Sequence, residues 1–111
     1  MTVTYHSAAE RPALELWILD DDGALIDFSS GYTWSLKIGA AGSTALLTKT
    51  TNITGAAGAG TAPTGTPNVV VTWSAGELAI TAGVYTAQLV ATTSSTDRVF
   101  EFPFRILPAI N

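Results

Sequence analysis

The sequence predicts an all-β sandwich of about seven to eight antiparallel strands, formed by one domain over residues 1–111. Apolar and polar residues alternate with a period of two in successive segments, and no long segment keeps a helical period. Clusters of Gly, Asp and Ser separate these segments as turns. In addition, Gly83-Val84-Tyr85 opens an alternating strand directly after a turn-like segment. A Tyr at this place is typical of the corner at which an immunoglobulin-like chain passes between its two sheets.

The composition limits what the protein can do. A chain of 111 residues buries roughly two thirds of its unfolded surface, so it needs no disulfide, and it contains no Cys. Charged residues make up 13% of the sequence, about half the usual share, which favours a surface that packs against other protein. The basic residues are scattered and the net charge is −4, so we expect no nucleic-acid binding.

Membrane insertion and secretion are not expected either. No apolar run approaches the roughly 18 residues of a membrane-spanning helix. Residues 1–11 lack the basic and apolar regions of a secretory signal. We therefore expect a protein made in the cytoplasm of its host, which leaves the cell only as part of a larger particle.

The N-terminal part predicts a short strand followed by a hairpin. Residues 2–6 form the first strand, and residues 13–19 form the second. An Asp-Asp-Asp-Gly turn at residues 20–23 joins it to a strand at residues 24–28, because Asp starts turns and Gly supplies a positive φ. One face of the hairpin carries the inward side chains Leu14, Leu16, Ile18, Ile26 and Phe28.

The middle of the chain predicts one clear strand and two ambiguous stretches. The strand at residues 33–38 has as its inward residues Trp34, Leu36 and Ile38. Residues 43–53 are β-prone, but Leu46-Leu47 breaks the alternation and leaves the register open. Residues 55–67 contain only Gly, Ala, Thr and Pro, and such a segment buries too little apolar surface to offset its ordering entropy. We expect a flexible loop there, or an arm that a neighbouring protein holds.

The C-terminal part predicts a strand, a short helical turn and a closing hairpin. The first strand has Val69, Val71 and Trp73 inward. Ser74 and Glu77 have the spacing of a capping box, which predicts a short helical turn near residues 74–79.

The closing hairpin turns at residues 94–97. Its first strand carries Tyr85, Ala87 and Leu89 on one face, and its second strand runs over residues 98–107 with Phe100, Phe102, Phe104 and Ile106 on one face. Pro103 lies on the opposite face. Because Pro cannot donate to a strand ladder, this last strand is predicted to be an edge strand or to be bulged there.

The polar residues predict no catalytic, cofactor-binding or metal site. The three consecutive Asp at residues 20–22 point in different directions, so a solvated turn is favoured over a calcium loop. His6 has no catalytic partner in its neighbourhood and is interpreted as a surface His. Asp27, Glu77 and Glu101 show no pairing in their spacing and are interpreted as solubilising charges.

Trp17 is the strongest candidate for contact with another molecule. It is out of phase with the inward residues of its strand, so alternation places it outward beside Leu19. Two interpretations stay open. One is a local bulge or cover from the N-terminal segment, and the other is a contact with a partner, since Trp is enriched at interface hot spots. Pro63 and Pro67 of the predicted flexible loop complete the candidate interface.

Several segments together match the pattern of a known family. Residues 14–23 form an apolar strand that ends in Asp-x-Asp-Gly, and residues 34–38 form an aromatic strand. The Trp-Ser segment at residues 73–78, the Gly-x-Tyr at residues 83–85 and the closing Phe102-Pro103 complete the pattern. The chain resembles the immunoglobulin-like domain that opens many bacteriophage tail and baseplate proteins, named after the baseplate upper protein. It departs from that pattern in Gly76-Glu77, where the family has Ala-Asp, in the polar turn at residues 29–31, and in the longer loop at residues 55–67.

The resemblance implies a non-enzymatic structural protein of a phage virion, in its tail, its baseplate or on its capsid surface. The family domain usually heads a longer protein, whereas this sequence ends at Asn111, so we expect a small virion component. It would dock on other virion proteins, in multiple copies or as a homo-oligomer. The alternative is an immunoglobulin-like module that binds carbohydrate on the host surface through Trp17 and loop residues.

Overall fold

Two β-sheets face each other in the computed structural model, which describes residues 3–7, 13–40, 42–94 and 96–108. Thr2 and Ser95 of the predicted elements, and the scattered basic residue Arg11, lie outside the described residues. The described residues form eight strands, namely β1 (Val3–His6), β2 (Leu14–Leu16), β3 (Thr33–Gly39), β4 (Leu47–Lys49), β5 (Ile53–Gly55), β6 (Val69–Val71), β7 (Gly83–Thr92) and β8 (Asp97–Leu107).

The two sheets confirm the predicted all-β sandwich. The larger sheet has the strand order β1-β8-β7-β3-β4, and the smaller sheet has the order β2-β6-β5. All pairs are antiparallel except β1 with β8, which is parallel and corrects the expectation of antiparallel pairing throughout. A parallel pair needs a long connection, and these two strands lie near opposite ends of the chain, so that requirement is met. Within the described residues there is no helix, and the predicted helical turn near residues 74–79 is a plain turn.

The period-two alternation places the core between the sheets as predicted. Inward residues of the three long strands are buried, namely Leu36, Ile38, Ala87, Leu89, Ala91, Phe102, Phe104 and Ile106. Val69, Val71 and Trp73 cover them from the opposite side. Trp34, Tyr85 and Phe100 were also expected inside, and they are partly buried against this core.

Aromatic rings form two clusters at different heights along β8. In the first, Phe28 meets Trp34 at 5.1 Å, Tyr32 at 5.0 Å and Phe100 at 6.2 Å between ring centroids. In the second, Tyr5 meets Trp73 at 5.7 Å and Phe104 at 5.8 Å. Edge-to-face pairs at such distances stabilise beyond their buried area. The two halves of β8 are thus packed around different aromatic groups.

The ambiguous stretch at residues 43–53 is divided between the sheets. β4 pairs with β3 in the larger sheet, and β5 pairs with β6 in the smaller one. Asn52 turns the chain between them in a left-handed conformation, with φ of 57°. The broken alternation at Leu46-Leu47 marks the start of β4, because Leu46 is exposed just before that strand, and the chain changes sheets after Lys49. Gly55 lets β5 approach Phe28 and Trp34, since a Cβ there would collide with both.

The predicted hairpin differs from expectation, and the loop at residues 55–67 has a defined path. Residues 24–28 do not form a strand, and the hairpin is reduced to a bridge between Leu19 and Leu25. The loop at residues 55–67 begins with the last residue of β5 and folds back on itself. Ala59 and Thr66 exchange two backbone hydrogen bonds of 2.9 and 2.7 Å. The Ala62–Pro63 peptide bond is cis, and Gly65 packs so closely on Ala59 that a Cβ would not fit.

The corner before β7 has the predicted Tyr. The Tyr85 hydroxyl donates a hydrogen bond of 2.6 Å to the carbonyl of Thr81, four residues upstream. A Tyr that reaches back to the upstream backbone is a hallmark of immunoglobulin-like sandwiches. The bond ties the start of β7 to the turn that leads into it.

Candidate docking site

β8 is covered on one side by β7 along its whole length but on the other side only at one end. β1 pairs with Phe104 to Leu107, and no described residue pairs with residues 97–103 on that side. The N–H of Ser7 donates to the carbonyl of Leu107 at 2.8 Å, so the main-chain groups of Leu107 point towards β1. Main-chain groups of alternate residues in a strand point the same way. Val99 and Glu101 therefore direct their N–H and C=O groups to the uncovered side, which we call the open edge.

Pro103 lies at the boundary between the covered half and the open edge. It stands opposite Thr86 in a ladder of β7 and β8 that has no register break, so the predicted alternative of a bulge is wrong. By the same alternation, its missing N–H lies on the side away from β7, where it costs no bond to that strand. The other alternative, an edge strand, holds for residues 97–103.

An apolar cavity opens beside this edge, between the end of β2 and β8. Its volume is about 240 Å³, and we call it the seam. The seam is lined by Leu16, Trp17, Ile18, Phe100, Glu101, Phe102 and Pro103. The smaller sheet thus leaves a gap beside residues 97–103 of β8. An apolar side chain of another molecule could enter this gap.

Trp17 lies in the wall of the seam. It is neither fully exposed nor part of the core, and its indole N–H is buried without a hydrogen-bond partner. The expectation that it points outward is therefore only half right. An unpaired buried N–H costs about 1–3 kcal/mol, so the indole of Trp17 lowers the stability of the free protein.

Asn68 holds the residues on both sides of Trp17. Its side-chain oxygen accepts from the N–H of Ile18 at 2.8 Å, and its amide nitrogen donates to the carbonyls of Ile18 and Ile26 at 2.8 and 2.9 Å. Its backbone N–H donates to the carbonyl of Leu16 at 3.0 Å. Where β2 ends, the buried Asn68 amide forms the hydrogen bonds that a neighbouring strand would otherwise form. We call this arrangement the Asn68 clamp. It explains why residues 24–28 form no strand, because a side chain takes the carbonyl of Ile26.

The other predicted interface residues are dispersed. Leu19 is 53% exposed, next to the Asp-Gly turn. Pro63 is exposed at the tip of the folded loop and Pro67 is half-buried. None of these three lines the seam. The structure therefore brings together Trp17 with β8, a grouping that the sequence did not indicate.

The polar residues Asp20, Asp27 and His6 have local structural roles. The Asp20 carboxylate accepts from the N–H groups of Asp22 and Ala24 at 2.9 and 3.0 Å, as in the predicted turn. Hydrogen bonds from the hydroxyl and N–H of Ser29 lower the pKa of Asp27. The Nδ1 of His6 donates to the Pro108 carbonyl, 3.0 Å away. Within the described ranges, no group of three potential ligands could hold a metal ion.

Glu77 is not a solubilising charge, which corrects the sequence interpretation. It pairs with the Lys49 ammonium at 2.7 Å, and the Lys49 side chain is fully buried. Glu77 also accepts from the N–H of Ser74 at 2.6 Å, which is half of the predicted capping box. Burial by itself would raise the pKa of Glu77, but the bonds from Lys49 and Ser74 outweigh it and lower the pKa. Lys49 is two residues after Leu47 on the same strand face, so period-two alternation could have identified it as inward.

A second, polar cavity of about 470 Å³ lies on the outer face of the larger sheet. One row of paired residues crosses four strands there, namely Thr48, Lys37, Gln88 and Glu101. The segment at Thr44 to Leu46 passes close over Gly39, where a Cβ would be crowded by Ala45, and so forms a wall above the row. We call this the polar groove.

Comparisons with known proteins do not place the chain in a family: it matches no protein-family model, no curated protein and no solved structure. None of the described segments forms a helix of the length and apolar character needed to cross a membrane.

Proposed function

We propose that this chain is a non-enzymatic structural protein of a bacteriophage virion, which acts by docking on other virion proteins in the tail, the baseplate or on the capsid surface. The observation that carries the proposal is the open edge of β8 joined to the apolar seam. Free main-chain donors and acceptors beside an apolar pocket are the features that strand-to-strand docking uses.

The arrangement suits a protein used in many copies. The seam and the open edge together are small, so a single contact of this size is weak. Repeated copies on a symmetric particle would add their contacts through avidity. The resemblance of the corner and closing strand to phage tail and baseplate domains supports a particle of that kind.

Mass spectrometry of purified virions tests the proposal. The chain is expected as a stoichiometric component after density-gradient purification and a high-salt wash. A map of the virion should then show an eight-stranded sandwich with its β8 edge against a neighbour. Absence of the chain from washed particles would refute a structural role.

The polar groove favours a second candidate function, carbohydrate binding on the host surface. Its row of hydroxyl, amide and charged side chains offers donors and acceptors of the kind that hold saccharide hydroxyls. Trp17 does not support that function, because it is only partly exposed and does not line the polar groove. A glycan array decides between the sites: hits that Gln88→Ala abolishes and Trp17→Ala retains would assign binding to the groove. An array without hits would exclude it.

A further inference from the structure

We propose that the docking partner contributes an extended segment that adds a strand to residues 97–101 of β8, with basic residues on its outer face and small apolar residues facing the seam. This inference rests on the proposed function and names the chemistry of its partner. Its evidence is the direction of the main-chain groups that no described residue pairs, the indole of Trp17 and the charge of the open edge.

The main chain of the open edge is ready for another strand. Val99 and Glu101 each direct one N–H and one C=O to the uncovered side, as the Ser7 to Leu107 bond shows for the same alternation. On this side β1 already pairs with residues 104–107, and the partner segment would lie in line with β1. An added segment would therefore extend an existing row of strand pairing.

The side chains of such a segment alternate between two environments. Those that point inward meet the seam, whose volume of about 240 Å³ and walls of Trp17 and Phe100 suit small apolar groups. Trp17 lines the seam, and its buried indole N–H, which has no partner among the described residues, would donate to a hydroxyl or carbonyl oxygen of the added segment. An inward Thr or Ser among small apolar residues would fit the volume of the seam and supply an acceptor for the Trp17 N–H.

The outward side chains of the partner meet negative charge. Asp97 and Glu101 flank Val99 on the outer face of the open edge, and all three are exposed. Lys or Arg opposite these carboxylates would be attracted, whereas acidic residues would be repelled. A second copy of the same edge is disfavoured for this reason, because antiparallel self-pairing brings Glu101 near the carboxylates of its copy.

Two synthetic peptides test the chemistry on the purified protein. One is acetyl-Lys-Val-Lys-Thr-Lys-Val-Lys-amide, and its matched control has Glu in place of every Lys. The Lys peptide is expected to slow exchange of the Val99 and Glu101 amides by about ten-fold or more and to change the tryptophan fluorescence of the protein. The Glu peptide should do neither. Equal protection by both peptides, or by neither, overturns the inference.

Substitutions at the open edge test the same point. Val99→Pro removes an N–H from the open edge and no bond to β7, as Pro103 already does in this strand. Glu101→Lys reverses the charge at an exposed position of the open edge. It provides the test if Val99→Pro does not fold. Both should abolish protection by the Lys peptide, and Val84→Thr, at an exposed residue away from the edge, should keep it.

The same variants in virions separate this inference from the proposed function. If wild-type protein is in the particle, Val99→Pro and Glu101→Lys should lower its amount by about ten-fold or more relative to Val84→Thr. Wild-type levels of both variants would show that the protein docks by another surface. Absence of the wild-type protein would refute the virion role, and the peptide result would stand by itself.

Discussion

The two halves of β8 pair with the same neighbour, β7, but differ in what closes their other side. At residues 104–107, β1 pairs with the strand, and Phe104 packs with Tyr5 and Trp73 in a buried cluster. At residues 97–103 no described strand lies on that side, Phe100 is half-buried, and the seam separates β8 from Trp17.

The difference shows how one strand serves stability and contact at once. In the closed half, the buried Lys49 has both a carboxylate and the Trp73 ring beside it, 5.8 Å from the centroid. In the open half, no described residue pairs with the main-chain groups of residues 97–103 on the side away from β7. Changes in the closed half should therefore lower the free energy of unfolding, and changes in the open half should mainly weaken docking.

The largest effect is expected from Asn68→Ala, which would break this contrast. The substitution leaves the N–H of Ile18 and the carbonyls of Ile18 and Ile26 without their partners, so the free energy of unfolding should fall by roughly 3–5 kcal/mol. Trp17 would lose its support, and the open half should no longer be preformed. Urea unfolding followed by Trp fluorescence measures the loss.

Asn68→Asp is the matched control for the clamp. It keeps the acceptor for the Ile18 N–H, but it loses both donors and places a carboxylate beside two carbonyls. It should be no more stable than Asn68→Ala at neutral pH. A loss below about 1 kcal/mol for both variants would show that the amide is not the support of this region.

The next effect concerns the ion pair of the closed half. Glu77→Ala leaves the Lys49 ammonium buried and unpaired and should cost about 2–3 kcal/mol, whereas Lys49→Met removes the buried charge and should cost less. Thermal unfolding of the two variants and of the double variant measures the coupling. Equal losses in the two single variants would contradict the claim that the buried Lys49 ammonium requires Glu77 as its partner.

The same pair predicts a pH dependence. The pKa of Glu77 is lowered in the folded protein. Its stabilising contribution is therefore complete above the ordinary glutamate pKa of about 4.3 and is lost as pH falls through the lower folded pKa. Glu77→Gln should flatten the stability profile in this acidic range and leave the slope at neutral pH unchanged. An unchanged acidic slope would show that Glu77 does not titrate with folding.

A smaller effect is expected from Tyr85→Phe, at the start of the closed half. Tyr85 is paired with Phe104, and its hydroxyl bond to Thr81 is exposed, so water can replace the donor. The free energy of unfolding should fall by about 1 kcal/mol. Chemical denaturation detects it, and hydrogen exchange should rise first at the amides near residues 81–86.

Much of this fold could be predicted from the sequence, because alternation determines which side of a strand is buried. Leu36, Ile38, Phe102 and Phe104 follow that rule, and the Tyr85 corner follows from its position. The parallel pairing of β1 could not be predicted, since two strands at opposite chain ends leave no local pattern.

The candidate site was less accessible to sequence reasoning. Trp17 stood out by its phase, but its half-buried state depends on the Asn68 clamp, which bonds residues 42 and 50 positions away. The open edge depends on where β1 stops. Both are long-range arrangements, and a period-two pattern describes only local direction.

The smallest effect on stability is expected from Trp17→Phe, and it separates the two halves most clearly. The change removes the unpaired N–H, which is a gain, and some of the ring that lines the seam, which is a loss of similar size. The free energy of unfolding should therefore stay within about 0.5 kcal/mol of the wild type. Docking should nevertheless weaken, because the variant no longer offers the partner the indole N–H donor and lacks part of the wall of the seam. Chemical denaturation and peptide titration of the same samples measure both quantities. A large loss of stability with unchanged binding would place Trp17 with the closed half, as a core residue rather than a docking residue.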